Sequence, residues 1–223
     1  ALQDALIKQP KGRICLYGRP GTGKSEFARH MAEKLDIPLI TKRASDLLDP
    51  YLGMTERHLS EMFEQANDEE SVLLLDEADS FLQDRAKARE SWQVTQVNEL
   101  LTQMEQFDGL FFCSTNLMEQ LDQASLRRFD LKIKFDFIKP EQLWTLFKQV
   151  LEDYDVTEPD ESAWKKKIMG LQGLTPGDFA TVARQNRFSG EPLSPQALLD
   201  GLKRELTFKE HGTYKNMGFV NNG

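Results

Sequence analysis

The sequence of 223 residues is poor in cysteine and has no long apolar run. Its two cysteines, Cys15 and Cys113, lie within strand-like apolar segments, which is typical of small buried side chains in a reducing compartment. The longest apolar stretches, 72–75 and 110–113, are far shorter than the ~20 residues of a membrane-spanning helix. The N-terminus lacks the basic-then-apolar layout of a signal peptide. We therefore expect a cytoplasmic protein without a membrane span, and, because the sequence begins with Ala, a fragment of a longer one.

Basic charge and histidine are also scarce. The 28 Lys and Arg residues face 36 Asp and Glu residues, which gives a formal net charge of −8. Because nucleic-acid surfaces need concentrated positive charge, we expect no nucleic-acid partner. The three histidines form no H-E-x-x-H pair, so the sequence gives no support for a zinc protease. We expect His30 and His58 on the surface.

Short apolar segments alternate with helical patterns over residues 1–139. Nearly continuous apolar runs are typical of parallel strands that are covered on both faces. Between the runs, apolar residues recur at helical spacing, as at Phe27, Met31 and Leu35. This alternation predicts an α/β fold in which helices flank a mostly parallel sheet. The predicted strands are 13–17, 38–41, 71–75, 110–114 and 131–135.

The pattern changes at Pro140. Beyond it, apolar residues recur only at helical spacing, and two prolines, Pro176 and Pro195, stand where a first helical turn tolerates them. We predict an α/β domain over 1–139 and a small all-helical domain over 140–211. Residues 212–223 are rich in Gly and Asn, which predicts a flexible tail.

The most specific motif is GRPGTGKS at 18–25, which matches G-x-x-x-x-G-K-[ST] and lies between a predicted strand and a predicted helix. Glycines let backbone N–H groups surround phosphate oxygens, and the helix N-terminus adds positive partial charge. Lys24 is expected to reach the β- and γ-phosphates, and the Ser25 hydroxyl to bind Mg²⁺. The predicted nucleotide-binding residues are Gly18, Pro20, Gly21, Thr22, Gly23, Lys24, Ser25 and Glu26.

A second acidic motif follows the strand at 71–75. Asp76 and Glu77 end this apolar run, and the carboxyl ends of parallel strands face the ligand crevice of an α/β fold. We expect Asp76 to help hold hydrated Mg²⁺ together with Ser25. We expect Glu77 to orient and polarise the water that attacks the γ-phosphate. This pair favours nucleotide hydrolysis rather than a GTPase-type switch.

Two further segments, 114–116 and 121–130, narrow the class of nucleotide-hydrolysing protein. Together with GRPGTGKS and LLLDEADSF, they resemble the AAA+ ATPase module of the AAA family proper. The resemblance implies a P-loop NTPase fold followed by a helical lid, ATP with Mg²⁺ as cofactors, and ATP bound between the two domains. It implies that Asn116 is the sensor that contacts the γ-phosphate or the attacking water. Arg127 and Arg128 resemble arginine fingers, which act in the neighbouring subunit's site.

The arginine motif departs from the family pattern. Family members usually have R-x-G-R-F-D, whereas here Arg127 and Arg128 are adjacent and directly precede Phe129 and Asp130. Which of the two arginines reaches the neighbouring subunit's nucleotide site, or whether both do, therefore stays open.

A short aromatic motif lies between the second predicted strand and the next helix. Tyr51, Leu52 and Gly53 are similar to the family's first pore loop, which lines the channel of a hexameric ring and grips an extended polypeptide. Such contacts do not depend on substrate sequence, which suits threading. Lys87 and Arg89 are candidates for a second pore loop, although a solvated surface run fits their surroundings better.

The resemblance therefore predicts an ATP-hydrolysing, homo-oligomeric ring subunit that remodels, threads or unfolds proteins. Two alternatives stay open at this stage. One is a nucleic-acid-directed machine of the clamp-loader or helicase-loader type, against which the acidic balance and Tyr51 argue. The other is a module in which ATP only supports assembly, against which Asp76 and Glu77 argue.

Overall fold

The protein is represented by a computed structural model, which describes residues 2–82, 91–116, 123–156, 160–188, 190 and 192–212. The chain divides into two compact units, Ala1–Phe135 and Asp136–Gly223. Within the described ranges, no helix is both long enough and apolar enough to cross a membrane.

The first unit is built on a parallel five-stranded sheet, which confirms the predicted fold class. Its order is β2-β3-β4-β1-β5, so β4 lies between β1 and β3. All strands run in one direction, so their carboxyl ends meet at one edge, where α/β folds bind ligands. The strands are β1 (Gly12–Gly18), β2 (Leu39–Arg43), β3 (Val72–Asp76), β4 (Leu110–Thr115) and β5 (Leu131–Phe135).

Helices cover both faces of this sheet. Successive strand residues point to opposite faces, so β1 contributes Cys15 to one core and Leu16 to the other. Helices α4 and α5 pack on the first core, and α1 and α2 on the second. The helices of this unit are α1 (Leu2–Lys8), α2 (Lys24–Leu35), α3 (Ala44–Leu47), α4 (Met54–Asp68), α5 (Ser91–Gln106) and α6 (Gln123–Leu126), with a 3-10 turn at Ala78–Ser80.

Glycines determine where two of these helices begin. Gly23 precedes α2 with φ 91°, and Gly53 precedes α4 with φ 83°, a left-handed conformation that side chains other than glycine rarely adopt. Gly18 is required for a different reason. A Cβ atom there would lie 1.9 Å from the carbonyl oxygen of Phe135, so a side chain would force β1 and β5 apart at the binding edge.

The second unit contains only helices among its described elements. They are α7 (Pro140–Glu152), α8 (Glu161–Met169), α9 (Pro176–Asn186) and α10 (Pro195–Gly212). Phe147, Phe179 and Leu202 are at most 1% exposed in its core. Asp178 accepts hydrogen bonds from the backbone and hydroxyl of Thr175 at the start of α9, and it pairs with Lys209 at 2.5 Å. The proposed domain boundaries and lid role stay predictions, and the predicted tail lies outside the described residues from 213 onward.

Candidate functional site

The loop between β1 and α2 contains the predicted phosphate-binding residues. Gly18, Gly21 and Gly23 have φ values of 134°, 74° and 91°, which turn the backbone in ways that L-residues rarely allow. The Thr22 hydroxyl donates a hydrogen bond of 2.7 Å to the carbonyl oxygen of Arg19 and closes the turn. The loop therefore leads directly into the N-terminus of α2, where backbone N–H groups favour an anion.

Lys24, the first residue of α2, lies within this loop. Its side-chain nitrogen donates hydrogen bonds to the carbonyl oxygens of Gly18 and Arg19, both at 2.9 Å, and to Oδ1 of Asn116 at 2.8 Å. Lys24 is only 7% exposed. Burial lowers the pKa of its ammonium group, and the nearby carboxylates of Asp76 and Asp79 partly oppose that shift. The predicted lysine and the predicted sensor amide are thus direct partners.

Ser25 and Asp76 form the second contact between distant motifs. The Ser25 hydroxyl donates a hydrogen bond of 2.7 Å to Oδ2 of Asp76, which ends β3. A hydroxyl and a carboxylate oxygen are hard donors of the type that Mg²⁺ prefers, and Mg²⁺ usually completes its shell with water and substrate phosphate. No group of three or more His, Cys, Asp or Glu side chains within the described ranges suits a metal. The donor set therefore fits Mg²⁺ held by few protein ligands.

Glu77 follows Asp76 in a left-handed backbone conformation, with φ 54°. This conformation is uncommon for a residue with a side chain and is concentrated at functional sites. The Glu77 N–H group donates to Oδ1 of Asp76 at 3.1 Å and to Oγ of Ser114 at 3.3 Å. Its side chain is exposed at the binding edge, free to meet a water molecule.

Three residues of this site were not assigned a role from the sequence. Ser114 on β4 donates a hydrogen bond to Oδ1 of Asp76. Thr115 donates one to Oδ1 of Asp79, which also accepts the N–H group of Asn116 at 3.0 Å. Ser114 and Thr115 are at most 1% exposed. Two buried hydroxyls at the end of an apolar strand are the signal that could have identified them, because buried polar groups require partners.

The two adjacent arginines lie on the turn after α6, and both are exposed. Arg128 forms an ion pair with Glu105 of α5. Arg127 has no side-chain partner among the described residues. Within the described ranges, no hydrogen bond or ion pair joins either arginine to the phosphate loop. The turn is anchored by Asp130, which accepts hydrogen bonds from the backbone N, Nε and Nη2 of Arg13 at 2.8, 3.0 and 2.8 Å.

Tyr51 and Leu52 form the tip of a tight turn before α4. They are 76% and 88% exposed, which is unusual for large apolar side chains. The turn is fixed by a hydrogen bond of 2.8 Å from Tyr51 N to Oδ1 of Asp49 and by one of 3.1 Å from Met54 N to Tyr51 O.

The remaining predicted residues are placed as follows. Pro20, Gly21 and Glu26 are exposed, and Glu26 lies 3.6 Å from Arg29 in an ion pair. His30 is exposed, whereas His58 is half-buried, with Nδ1 3.1 Å from the carbonyl oxygen of Leu47. Lys87 and Arg89, the candidates for a second pore loop, lie outside the described residues.

The fold and the contacts around Lys24 and Asp76 define a P-loop nucleotide-binding domain. Residues 14–137 match the family described as "ATPase family associated with various cellular activities (AAA)". The chain therefore belongs to the AAA family of ATPases. This membership confirms the predicted family, the P-loop fold, the ATPase class and the cofactors ATP and Mg²⁺.

Similar curated proteins support the same family. The chain is 32% identical over 194 residues to the Arabidopsis thaliana protein suppressor of K⁺ transport growth defect 1, with 78% of this chain and 45% of that protein covered. It is 28% identical over 225 residues to the Saccharomyces cerevisiae 26S proteasome subunit RPT4, with 93% and 50% covered. It is 32% identical over 190 residues to a proteasome-activating nucleotidase of Methanopyrus kandleri, with 80% and 43% covered. The chain thus spans half or less of the length of each of these relatives.

Proposed function

We propose that this chain is an ATP-hydrolysing subunit of a hexameric homo-oligomeric ring that threads, remodels or unfolds protein substrates. The observation that carries the proposal is that residues at or just after the carboxyl ends of β1, β3 and β4 contact one another. Lys24 contacts Asn116, and Ser25 contacts Asp76, at one edge of the sheet. This arrangement supplies a cation, an amide and a carboxylate around one phosphate-binding turn.

The proposed chemistry follows from those positions. Lys24 binds the β- and γ-phosphate oxygens, and Asn116 orients the γ-phosphate or the attacking water. Ser25 and Asp76 would hold Mg²⁺, which neutralises phosphate charge when bound. Glu77 orients the water and takes its proton as the new P–O bond forms and the bond to the β-phosphate oxygen breaks. The products are ADP and phosphate.

We further propose that Arg127 is the residue that acts on the neighbouring subunit's ATP. Its side chain is exposed and has no partner in the described part of the chain, whereas Arg128 is engaged by Glu105. A guanidinium that stays charged and offers a fork of donors stabilises the charge of phosphoryl transfer. In this assignment Arg128 positions the turn by its contact with α5.

We propose Tyr51 and Leu52 as the substrate-binding residues of the pore. Their exposure supports this role, because large apolar side chains at a loop tip suit contact with polypeptide of any sequence. Two of the relatives are named as a proteasome subunit and a proteasome-activating nucleotidase, and none of the three is named for nucleic acid. These names favour a protein substrate over the nucleic-acid alternative.

Two expectations complete the proposal. We expect the helical unit to act as a lid over the nucleotide, as the resemblance to AAA+ modules implies. The protein works in a reducing compartment, which its two buried free thiols, Cys15 and Cys113, support.

Paired variants of the phosphate loop and of Glu77 test the ATPase part of the proposal. Lys24→Ala should weaken ATP binding at least about tenfold, since a charged hydrogen-bond donor is lost. Glu77→Gln should keep ATP binding and lose turnover by about 100-fold or more. Lys34→Ala and Glu33→Gln, exposed on α2, are the matched controls. Wild-type turnover by Glu77→Gln would contradict the assignment of Glu77.

The proposed binding of polypeptide by Tyr51 and Leu52 is tested by a separate measurement. Fluorescein-labelled casein, an unfolded polypeptide, should bind in the presence of a slowly hydrolysed ATP analogue, and Tyr51→Ala should abolish that binding. Phe188→Ala removes an aromatic ring that is 91% exposed in the second unit and should leave binding intact. Equal binding by the Tyr51→Ala and wild-type proteins would contradict a pore role for Tyr51.

A further inference from the structure

A cavity of about 340 Å³ lies beside the turn that carries Tyr51 and Leu52. Its walls come from the turn 49–53, from the first turn of α4 and from α5. The cavity is large enough for one long side chain. It is separate from the residues assigned to ATP.

Two polar side chains, those of Glu56 and Gln96, line this cavity. Glu56, on α4, has one carboxylate oxygen, Oε2, with less than 1 Å² of accessible surface and no hydrogen-bond partner. Gln96, on α5, is 8% exposed. A buried polar group without a partner costs free energy, and most native structures avoid it. The Oε2 atom of Glu56 therefore indicates a place for a hydrogen-bond donor.

The charge of the cavity indicates which donor fits. Asp49 and Glu56 contribute carboxylates, and the described residues that line the cavity include no lysine, arginine or histidine. One oxygen of Asp49 already accepts the Tyr51 N–H group, which leaves the other available. A cation that donates several hydrogen bonds would bind Glu56 and Gln96 together. The ring of Tyr51 offers an additional cation–π contact.

We propose that this cavity binds a lysine or arginine side chain of the polypeptide held by Tyr51 and Leu52, an inference that rests on the proposed pore function. The same two residues form part of the cavity wall and the exposed tip of the turn. Side chains of an extended polypeptide point alternately to opposite sides. A strand lying on the tip can therefore place one side chain in the cavity and its neighbour in solvent.

The test compares two fluorescent peptides that differ at one position, arginine against citrulline, which has nearly the same shape but no charge. Binding is measured by fluorescence anisotropy to the full chain with a slowly hydrolysed ATP analogue. The arginine peptide should bind about tenfold more tightly, the ratio expected for a hydrogen-bonded charge. Glu56→Gln should reduce that ratio to below about twofold while the citrulline peptide keeps its affinity.

Two further variants provide a control and a second test of the cavity. Glu64→Gln removes an exposed charge from the same helix outside the cavity and should retain the tenfold ratio. Gln96→Met replaces the buried amide with an apolar side chain of similar size and should lower the ratio without changing the charge. It gives an independent readout should Glu56→Gln fail to fold.

The outcomes separate this inference from the proposed function. The cavity does not select basic side chains if both peptides bind the wild-type protein equally, or if Glu56→Gln keeps the preference for the arginine peptide. The proposed pore role of Tyr51 is unaffected by either result. If neither peptide binds, the pore proposal and the cavity inference both fail. If Glu56→Gln weakens self-association and leaves the peptide ratio intact, the cation comes from a second copy of this chain, and the inference is overturned.

Discussion

The side-chain nitrogen of Lys24 donates a hydrogen bond of 2.8 Å to Oδ1 of Asn116, 92 residues further along the chain. This contact exists because β4, which ends just before Asn116, lies between β1 and β3. One amide therefore reaches the lysine of the phosphate loop, while its strand neighbour Ser114 reaches Asp76. The end of β4 therefore contacts both the proposed phosphate-binding residue Lys24 and the proposed Mg²⁺ ligand Asp76.

Asn116→Ala should separate ATP binding from turnover. Lys24 keeps its two backbone partners in this variant, so ATP affinity should change by less than about threefold. Turnover should fall about 100-fold, the loss expected when one positioned donor is removed from a transition state. Titration with a fluorescent ATP analogue and a phosphate-release assay give the two quantities. Asn98→Ala, exposed on α5, is the control, and a loss of affinity equal to the loss of turnover would contradict a role specific to the transition state.

Ser114→Ala should weaken the metal side of the site. The hydroxyl of Ser114 donates to Asp76 and accepts the Glu77 N–H group, so its loss frees both acidic residues to move. One hydrogen bond contributes about 1 kcal/mol, which predicts about a fivefold higher Mg²⁺ concentration at half-maximal turnover.

A buried serine elsewhere controls for a simple loss of stability. Ser71 is 4% exposed and donates to the carbonyl oxygen of Glu69, away from the site. Ser71→Ala should therefore leave the Mg²⁺ dependence unchanged. An equal shift in both variants would mean that the hydroxyl of Ser114 acts only through stability.

Mixing inactive variants distinguishes the two arginines. Arg127→Ala keeps its own site but supplies no finger, whereas Lys24→Ala lacks a working site but supplies Arg127. If Arg127 acts on a neighbour, an equimolar mixture of the two should recover activity that neither has alone. Arg128→Ala should keep at least about a tenth of wild-type turnover, because the exposed ion pair with Glu105 contributes little. Loss of turnover in Arg128→Ala, with Arg127→Ala active, would reverse the assignment.

The pair Arg13–Asp130 predicts a pH-dependent contribution to stability. Hydrogen bonds from the Arg13 side chain lower the pKa of Asp130 in the folded protein. The stabilisation is therefore fully present above the unfolded-state pKa of about 3.9 and is lost as the pH falls through the lower folded-state pKa. Asp130 is half exposed, so solvent screening limits the contribution to about 1 kcal/mol or less.

Urea unfolding of Asp130→Asn from pH 7 to pH 3 checks this prediction. The difference in free energy of unfolding from the wild type should be largest near pH 7 and should shrink below about pH 4. Asp108→Asn breaks a more exposed pair with Lys11 and serves as the control. A difference that grows as the pH falls would contradict the predicted sign.

The sequence predicts the repetitive and motif-bearing parts of this fold well. All five strands lie where apolar runs occur, although the second begins at Leu39 and extends to Arg43, beyond its predicted end at 41. This strand lies at the edge of the sheet, where fewer of its side chains are buried, so its apolar pattern is weaker. The short helix α1 was not predicted, because so few residues give little periodicity.

The contacts between motifs could not be predicted in the same way. Nothing local in the sequence pairs Glu105 with Arg128 or places Gln96 in a cavity, because these contacts depend on how separate helices and loops pack. Gln96 lies beside the buried Val97 on α5, and the usual argument from an apolar helix stripe assigns polar residues to solvent. The structure brings such residues together only through the strand order and the packing of α4 against α5.

The most direct test of the account is ATP turnover per subunit, measured with Mg²⁺ across a wide range of protein concentration. A site completed by Arg127 of a neighbour predicts that turnover per subunit rises steeply with concentration and then saturates as rings form. Turnover that is measurable and independent of concentration would mean that each subunit carries a complete site, which contradicts the ring. No turnover at any concentration would contradict hydrolysis by this chain.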